Sequence, residues 1–356
     1  MSTTPTILSS LQNHLTSNKA RLKTLSGLIT GMIREKTANL RDLSRHQESE
    51  ATDHSDYRKL QRFFKEWKFS WEETAKLTLD KVPKPSEGYV LSIDRTNWKF
   101  GKTHINILTI GIVVGKVSMP LVWMTLPQET KRGNSNTEQR IELMERLLKV
   151  LPAKDIHSIN MDREFCGYEW LCWLNNRKMT FVLRLRKNTK IDGKDAKLYS
   201  STKKAKTYEK KEVFGMNLYF ACKYITKGRA DYLYVVSNNL DPIEALETYK
   251  KRWSIEVLFG HLKKKGFNLE STHMKAAEKI DKLIAVLALA FLFTVGWGIL
   301  MKENSTLNAH DKRKSTFRLA LDMLQFILNE PSKHKEKLEK FGKWISSDLK
   351  PQFFVV

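Results

Sequence analysis

The chain has 356 residues, of which 62 are Lys or Arg and 39 are Asp or Glu, so its formal net charge is +23. Hydrophobic residues make up 41% and aromatic residues 10%, which excludes a wholly disordered chain and fits roughly two domains of ordinary size. So large a positive charge predicts a polyanionic partner, usually nucleic acid, and the alternative is a basic soluble protein with no special partner.

The cysteines indicate a reducing compartment. Cys166, Cys172 and Cys222 are odd in number, and none of their spacings matches a CxxC pair. We therefore expect neither a disulfide framework nor a structural zinc site, and we expect a cytoplasmic protein. The first ten residues, MSTTPTILSS, lack a basic stretch followed by an apolar run, so no signal peptide is predicted.

The first 85 residues predict short helices that end at the turn signals Pro83 and Pro85. Apolar residues recur at helical spacing from Ile7 to Leu15, and two further helical segments meet near residues 36–37 before another begins at Asp56. Several arginines lie along these segments. We therefore expect residues 1–85 to be a helical DNA-binding domain of helix-turn-helix type, the alternative being a packing subdomain with a solvated basic face.

The next hundred residues have the composition of strands alternating with helices. Gly115 separates two β-rich runs and predicts a hairpin. The predicted strands span 89–95, 104–114, 116–126, a short run ending at Asp162, and 180–185, with helices over 137–150 and 167–176. This β-β-β-α-β-α-β order predicts an α/β fold of the RNase H-like type, a mixed sheet flanked by helices. Residues 86–185 would form the first part of a catalytic core.

A basic, β-rich insertion is predicted over residues 186–240. Its first part, residues 186–211, holds ten Lys or Arg against three acidic residues, and Lys203, Lys204 and Lys206 are its candidate DNA contacts. Two alternating segments resemble edge strands. One long helix is then predicted over 242–265, with Pro242 at its start, where a missing N–H costs nothing. The second part of the core would span 241–301, and a helical C-terminal region 302–356.

Residues 283–301 contain no charge and are just long enough to span a bilayer. Lys279, Lys282 and Lys302 could serve as anchors at the membrane interface. The other interpretation is a helix buried in a soluble core, in which Gly296 and Gly298 allow close packing. Because the rest of the chain is basic and polar, we expect the soluble interpretation and no membrane partner.

Three acids are candidates for catalysis. Asp94 is predicted to end the first strand and Asp162 the fourth, which are neighbours in an RNase H-like sheet, and Glu256 lies on the later helix. Carboxylates held together repel one another unless a cation bridges them, and oxygen ligands favour Mg²⁺, with Mn²⁺ able to substitute. Two such ions about 4 Å apart activate a nucleophile and stabilise the leaving oxygen in phosphodiester transfer. Each aspartate alone could instead be a turn or cap residue.

The helix that carries Glu256 presents several functional groups at related spacings. Tyr249, Arg252, Glu256 and Lys263 fall within roughly a 60° stripe at about 100° per residue. A carboxylate flanked by Arg and Lys suits a site that grips a metal-bound phosphate from both sides. The alternative is a surface face with an i,i+4 pair between Arg252 and Glu256.

These residues together resemble a known family. The spacing Tyr249-x2-Arg252-x3-Glu256-x6-Lys263 matches the YREK signature of bacterial insertion-sequence DDE transposases. The sequences SIDRTNW, NMDREF and YKKRWSIEVLFGHLKKKGFNLESTHM, together with the apolar segment that follows, are similar to that group. The resemblance covers most of residues 56–301.

The resemblance implies a role for each matched position. Asp94, Asp162 and Glu256 would bind the metal ions. Tyr249 and Arg252 would hold a phosphate near the transposon end, and Lys263 would contact the backbone close to the scissile bond. Relatives cut through a hairpin, which requires a flipped base to stack on an aromatic side chain. The candidate aromatic residues are Trp253 and, in the insertion, which contains no Trp, Tyr208, Phe214 and Tyr219.

The sequence thus predicts a Mg²⁺-dependent transposase that binds terminal inverted repeats, cuts the ends and joins the 3′-hydroxyls to target DNA. Its partners would be transposon-end and target DNA and a second copy of itself in a synaptic complex, and it would be cytoplasmic and associated with the nucleoid. The alternatives are an RNase H-like nuclease without strand transfer, a catalytically inactive DNA-binding relic, and an integral membrane protein.

Overall fold

The structure, a computed structural model, describes residues 4–47, 49–127, 134–200, 204–225, 231–304, 311 and 313–346. Within these residues, five helices precede the first strand: α1 (Thr4–His14), α2 (Lys19–Glu35), α3 (Leu40–Ser44), α4 (Asp53–Glu66) and α5 (Trp71–Lys81). The side chains of Asn18 and Thr52 accept hydrogen bonds from the first turns of α2 and α4. The predicted helical N-terminal region is confirmed.

The centre of the protein is a mixed β-sheet. Its strands are β1 (Tyr89–Phe100), β2 (Thr103–Val114), β3 (Val117–Leu126), β4 (Ile156–Met161) and β5 (Phe181–Arg184), followed later in the chain by β8 (Lys206–Val213), β9 (Met216–Ile225) and β10 (Asp231–Ser237). In the described residues the strand order is β3-β2-β1-β4-β5-β10-β9-β8. β1 pairs antiparallel with β2 and parallel with β4, and β4 pairs parallel with β5. The predicted RNase H-like mixed sheet is confirmed.

Two helices connect the strands of this core: α6 (Thr137–Leu148) and α7 (Tyr168–Asn176). α6 begins with a capping box in which Asn136 and Gln139 each bind the other's backbone N–H. The hairpin predicted at Gly115 joins β2 to β3, and Gly115 has a φ of +55° that favours glycine. The order of elements predicted for this core therefore matches the structure.

The predicted insertion extends the central sheet. It contributes a two-residue hairpin, β6 (Lys190–Ile191) and β7 (Lys194–Asp195), and then β8, β9 and β10. β10 pairs antiparallel with β5, so the insertion's strands continue the sheet beyond the core. Sequence patterns could not show this, because the pairing of β10 with β5 joins segments about fifty residues apart.

The prediction of one long helix over residues 242–265 is wrong. The structure has α8 (Pro242–Lys250) and α9 (Trp253–Leu262) instead. The N–H groups of Lys251 and Arg252 bond to carbonyls three residues earlier, at Thr248 and Tyr249, in a tighter 3₁₀-like turn. α9 then ends at Leu262, so Lys263 leaves the helical stripe on which it was placed.

The long apolar segment forms α10 (Ala277–Asn304). By length and composition alone this helix could cross a membrane, but 89% of its most apolar stretch is buried inside the protein. Gly296 and Gly298 lie where a side chain would overlap Trp344 and Thr316 of later helices. Burial on this scale favours the predicted core helix over a membrane span.

Two helices follow, α11 (Thr316–Asn329) and α12 (Lys335–Ser346), which confirms the predicted helical C-terminal region. α11 packs against α10 and α2, and α12 packs against α1. The hydroxyl of Ser10 donates a 2.7 Å hydrogen bond to the carbonyl of Ile345, so the two ends of the described chain are joined.

A buried histidine on α9 makes stability sensitive to acid. His261 stacks on Phe317 with ring centroids 4.2 Å apart, and neither ring nitrogen has a hydrogen-bond partner in the described structure. Burial, helped by nearby Lys265, lowers the pKa of His261 from its usual 6.5 to about 4. Its neutral form therefore supports folding fully above pH 6.5, and this contribution is lost as the pH falls through about 4.

We expect the free energy of unfolding to drop between pH 6.5 and pH 4, and to drop less in His261→Leu, which cannot protonate. Urea denaturation across this range measures the difference. The exposed His54 on α4 provides the matched control, and His54→Gln should retain the wild-type profile. Parallel curves for wild type and His261→Leu would contradict the assignment.

Candidate active site

Asp94 and Asp162 lie side by side in the central sheet. The parallel pairing of β1 with β4 ends at the partners Ile93 and Met161, and each aspartate is the next residue along its chain. Neighbouring strands are about 4.8 Å apart, so the two carboxyl groups start from adjacent positions. The prediction that Asp94 ends its strand is wrong, because β1 continues to Phe100 through its antiparallel pairing with β2.

Arg252 joins two of the three candidate acids. Its Nη1 donates a 3.0 Å hydrogen bond to Oδ2 of Asp94, and its Nη2 donates to Oε1 of Glu256. The Arg252 side chain is only 8% exposed, in the turn between α8 and α9. The i,i+4 pair of Arg252 with Glu256 is therefore present, but not on a surface face, since Arg252 is buried and bridges a helix to the sheet.

Asp162 is held by two other residues. The hydroxyl of Tyr249 on α8 donates a 3.3 Å hydrogen bond to Oδ1 of Asp162. The guanidinium of Arg184, the last residue of β5, lies 4.0 Å from the same oxygen. Tyr249 and Arg252 of one sequence motif thus reach Asp162, Asp94 and Glu256, and these contacts bring the three acids into one site.

The electrostatics follow from burial. Burial raises the pKa of Asp94 to about 6, against the opposing attraction of Arg252. It likewise raises the pKa of Tyr249 to about 12, so the phenol stays protonated and can donate to Asp162. Burial disfavours the charge of Arg252 as well, but its neighbours Tyr249, Asp94 and Asp162 outweigh it and raise the pKa of Arg252. The site is therefore a group of half-buried acids that needs positive charge nearby.

Polar side chains continue beneath the acids on the same face of the sheet. Ser92 lies two residues before Asp94, and Ser158 and Asn160 lie four and two residues before Asp162. Alternate residues of a strand point to the same face. All three are completely buried, and their side-chain oxygens and the Asn160 amide nitrogen have no hydrogen-bond partner in the described structure. Buried polar groups of this kind are usually bonded, so these unpartnered groups mark the strand face beside the acids as polar.

The donor set fits a divalent metal ion by its chemistry. Carboxylate oxygens of Asp94, Asp162 and Glu256 are the hard ligands that Mg²⁺ and Mn²⁺ prefer. Arg252 takes the place of a cation between two of them. As the side chains stand, no group of three His, Cys, Asp or Glu in the described residues is close enough to hold a metal ion. Binding would thus require Arg252 to release at least one acid.

The remaining residues of the motif lie around this centre. Trp253, the first residue of α9, is 62% exposed directly beside Arg252. Lys263 lies farther along β1, where its Nζ donates a 2.6 Å hydrogen bond to the carbonyl of Asn97 and pairs with Glu270 at 3.3 Å. The structure therefore brings Tyr249 and Arg252 to the acids, whereas Lys263 contacts the distal half of β1.

The predicted insertion residues lie on or next to β8 and β9, or outside the described chain. Lys203 falls outside the described residues, Lys204 is exposed and Lys206 begins β8. Among the aromatic candidates, Tyr208 stacks on Phe220, and Phe214 and Tyr219 are half-buried. The DNA contacts of these residues stay predictions.

Sequence reasoning missed Arg184 and Asn160. Arg184 ends an otherwise apolar strand in TFVLRL, and a charge there was the signal that it points into a site. Asn160 lies two residues before Asp162, and this position on the same strand face was its signal.

Comparison with known proteins identifies the family of the chain. The family model of the transposase DDE domain matches residues 85–293, which is more than half of the chain and includes Asp94, Asp162 and Glu256. A search of curated proteins gave no match. Members of this family are enzymes of transposition and DNA recombination that act on DNA with divalent metal ions. The chain, with its RNase H-like sheet, therefore belongs to the DDE transposases.

Proposed function

We propose that this protein is a cut-and-paste transposase of the YREK-signature group. It binds the terminal inverted repeats of its mobile element, cuts at the ends, and joins the 3′-hydroxyls to target DNA. The observation that carries the proposal is the set of contacts made by one motif. Tyr249 bonds to Asp162, and Arg252 bonds to both Asp94 and Glu256.

In this proposal Asp94, Asp162 and Glu256 hold Mg²⁺, for which Mn²⁺ can substitute. The bound metal supplies activation of an attacking oxygen and stabilisation of the leaving oxygen. Arg252, once it releases an acid, can grip a phosphate with its planar fork. Tyr249 keeps Asp162 oriented through its hydroxyl, and Lys263, Lys203, Lys204 and Lys206 contact the DNA backbone.

The same proposal assigns a role to each part of the chain. Residues 1–85 bind DNA, 86–185 and 241–301 form the catalytic core, 186–240 form the basic insertion, and 302–356 form the C-terminal region. Two copies would act together in a synaptic complex, because two ends must be cut and joined. The protein would work in the bacterial cytoplasm at the nucleoid.

The competing function is a nuclease that cuts without joining. Incubating the full chain with Mg²⁺ and DNA spanning the boundary of its own element separates the two, provided that both cut ends and joined products are mapped. We expect cuts at the ends and 3′-hydroxyls covalently joined to a second duplex. Cleavage without joined products would favour the nuclease, and binding without cleavage would favour the inactive relic.

Trp253 is exposed enough to stack on a flipped base. If it does so, Trp253→Ala should slow hairpin formation and resolution by ~1–3 kcal/mol, roughly 5- to 150-fold, with little effect on the first nick. Gel analysis of pre-nicked ends measures these steps. Exposed Phe326 on α11 is a matched control, because Phe326→Ala removes a similar aromatic surface outside the candidate site. Equal hairpin rates for Trp253→Ala and wild type would show that another group holds the base.

A further inference from the structure

A basic groove lies between the N-terminal helices and the segment that leads into α10. It has a volume of about 870 Å³ and is lined mainly by α4 on one side and by residues 272–279 on the other. These two parts of the chain are about two hundred residues apart, and neither contributes a candidate catalytic acid. The groove is therefore a feature separate from the active site.

The groove is strongly cationic. Five Lys or Arg side chains and one histidine line it, and no Asp or Glu in the described part of the chain does so; these residues are Arg58, Arg62, Lys65, Lys275, Lys279 and His273. Arg58, Arg62 and Lys65 are exposed and lie on one face of α4, at spacings of four and three residues. None of these three forms an ion pair with a described residue. Like charges so arranged repel one another, so a bound polyanion would stabilise the groove.

The distal half of β1 connects the groove to the active site. From Asp94 to Phe100 the strand advances about 20 Å at roughly 3.3 Å per residue. The Phe100 ring stacks on His273 with centroids 5.4 Å apart, and Nζ of Lys275 lies 5.3 Å from the same centroid. Since a DNA duplex rises about 3.4 Å per base pair, this span corresponds to about six base pairs.

We propose that this groove holds the sugar-phosphate backbone of the transposon-end duplex about six base pairs inside the cut. The inference rests on the proposed function, since it takes Asp94 as the site of cleavage. Gln61, exposed between Arg58 and Arg62 on the same helix, supplies an amide that can pair with the edge of adenine. The transposon end must be recognised by its sequence, which requires a group that reads bases. Gln61 therefore favours the transposon end over target DNA as the occupant of the groove.

The test compares the full-length wild type with the triple variant Arg58→Ala/Arg62→Ala/Lys65→Ala. Binding to a terminal-repeat duplex and to a scrambled duplex of equal length is measured across a salt series. Ethylation interference then locates the contacted phosphates. The matched control is Lys335→Ala/Lys337→Ala/Lys340→Ala, which removes three exposed charges from α12 outside the groove. Melting temperatures of all variants verify folding.

We expect the groove variant to bind the terminal repeat at least tenfold more weakly at physiological salt. Its plot of log affinity against log salt should be shallower by about 2.7, for three lost phosphate contacts. Interference about six base pairs inside the cut should disappear, and the control should keep it. Gln61→Ala should reduce the preference for the repeat over scrambled DNA by roughly tenfold.

Wild-type interference and salt dependence in the groove variant would overturn the inference, even if the protein cuts ends normally. Loss of contacts confined to target or flanking DNA would overturn the choice of the transposon end. If the wild type binds its repeat but cuts nothing, the proposed function fails, while the interference pattern still decides whether the groove holds DNA.

Discussion

Replacing any one of the three candidate acids is expected to abolish end cleavage while leaving end binding intact. Asp94→Asn, Asp162→Asn and Glu256→Gln keep the shape of each side chain but remove its charge. A shared metal site then loses a ligand whichever acid is changed, so each variant should cut roughly 10³-fold more slowly or worse. Double variants should be little worse than single ones, because the ligands act as a unit.

Single-turnover cleavage of terminal-repeat duplexes measures this effect, and gel shifts measure binding in parallel. The control is Glu247→Gln, an exposed acid on α8 that pairs with Lys250 at the surface, which should cut at the wild-type rate. If one of the three variants cuts within a few-fold of the wild-type rate, the residue changed in it is not part of the metal site. Additive losses in the double variants would show that the acids do not share one metal site.

Arg252 should be the basic residue whose replacement slows end cleavage the most. Once released from an acid, its planar guanidinium can bind two oxygens of a phosphate, and a single ammonium cannot reproduce this geometry. Arg252→Lys should therefore lose ~1–3 kcal/mol of transition-state stabilisation, a 5- to 150-fold drop in cleavage at saturating DNA. Initial repeat binding should be retained, because Arg252 is buried beneath the surface that DNA first meets.

The neighbouring Lys251→Arg change provides the control, because Lys251 is exposed and its side chain has no ion pair with a described residue. Its cleavage rate should equal that of the wild type. If Arg252→Lys also cleaves at the wild-type rate, with unchanged unfolding in urea, the bridge between the sheet and α9 has no catalytic importance. A fall in stability with normal cleavage would make Arg252 a purely structural residue.

Local patterns were sufficient to predict the class of fold. The alternation in HINILTIGIVV and KVSMPLVWMTL, with Gly115 between them, predicts the hairpin of β2 and β3, and the helical period predicts α6 and α7. The mixed sheet follows from the order of these elements. The two aspartates could be placed near each other because β1 and β4 are neighbours in that order.

Other features depend on contacts between distant parts of the chain. β1 continues past Asp94 because β2 pairs with it up to Phe100, and no residue near Asp94 signals this. The break between α8 and α9 contains neither Gly nor Pro, so a long helix was the natural prediction. Likewise, no pattern in the sequence indicates that Arg252 bonds to Asp94 in the folded chain, 158 residues away. Partner choice in a buried site is decided by tertiary structure.

The metal site is tested most directly by anomalous diffraction from crystals of the full chain grown with Mn²⁺. We expect anomalous density coordinated by carboxylate oxygens of Asp94, Asp162 and Glu256, with Arg252 withdrawn from at least one acid. This density should disappear in Asp162→Asn. Crystals in which Mn²⁺ binds elsewhere, while Arg252 still bridges Asp94 and Glu256, would contradict the assignment of these three acids as the metal site.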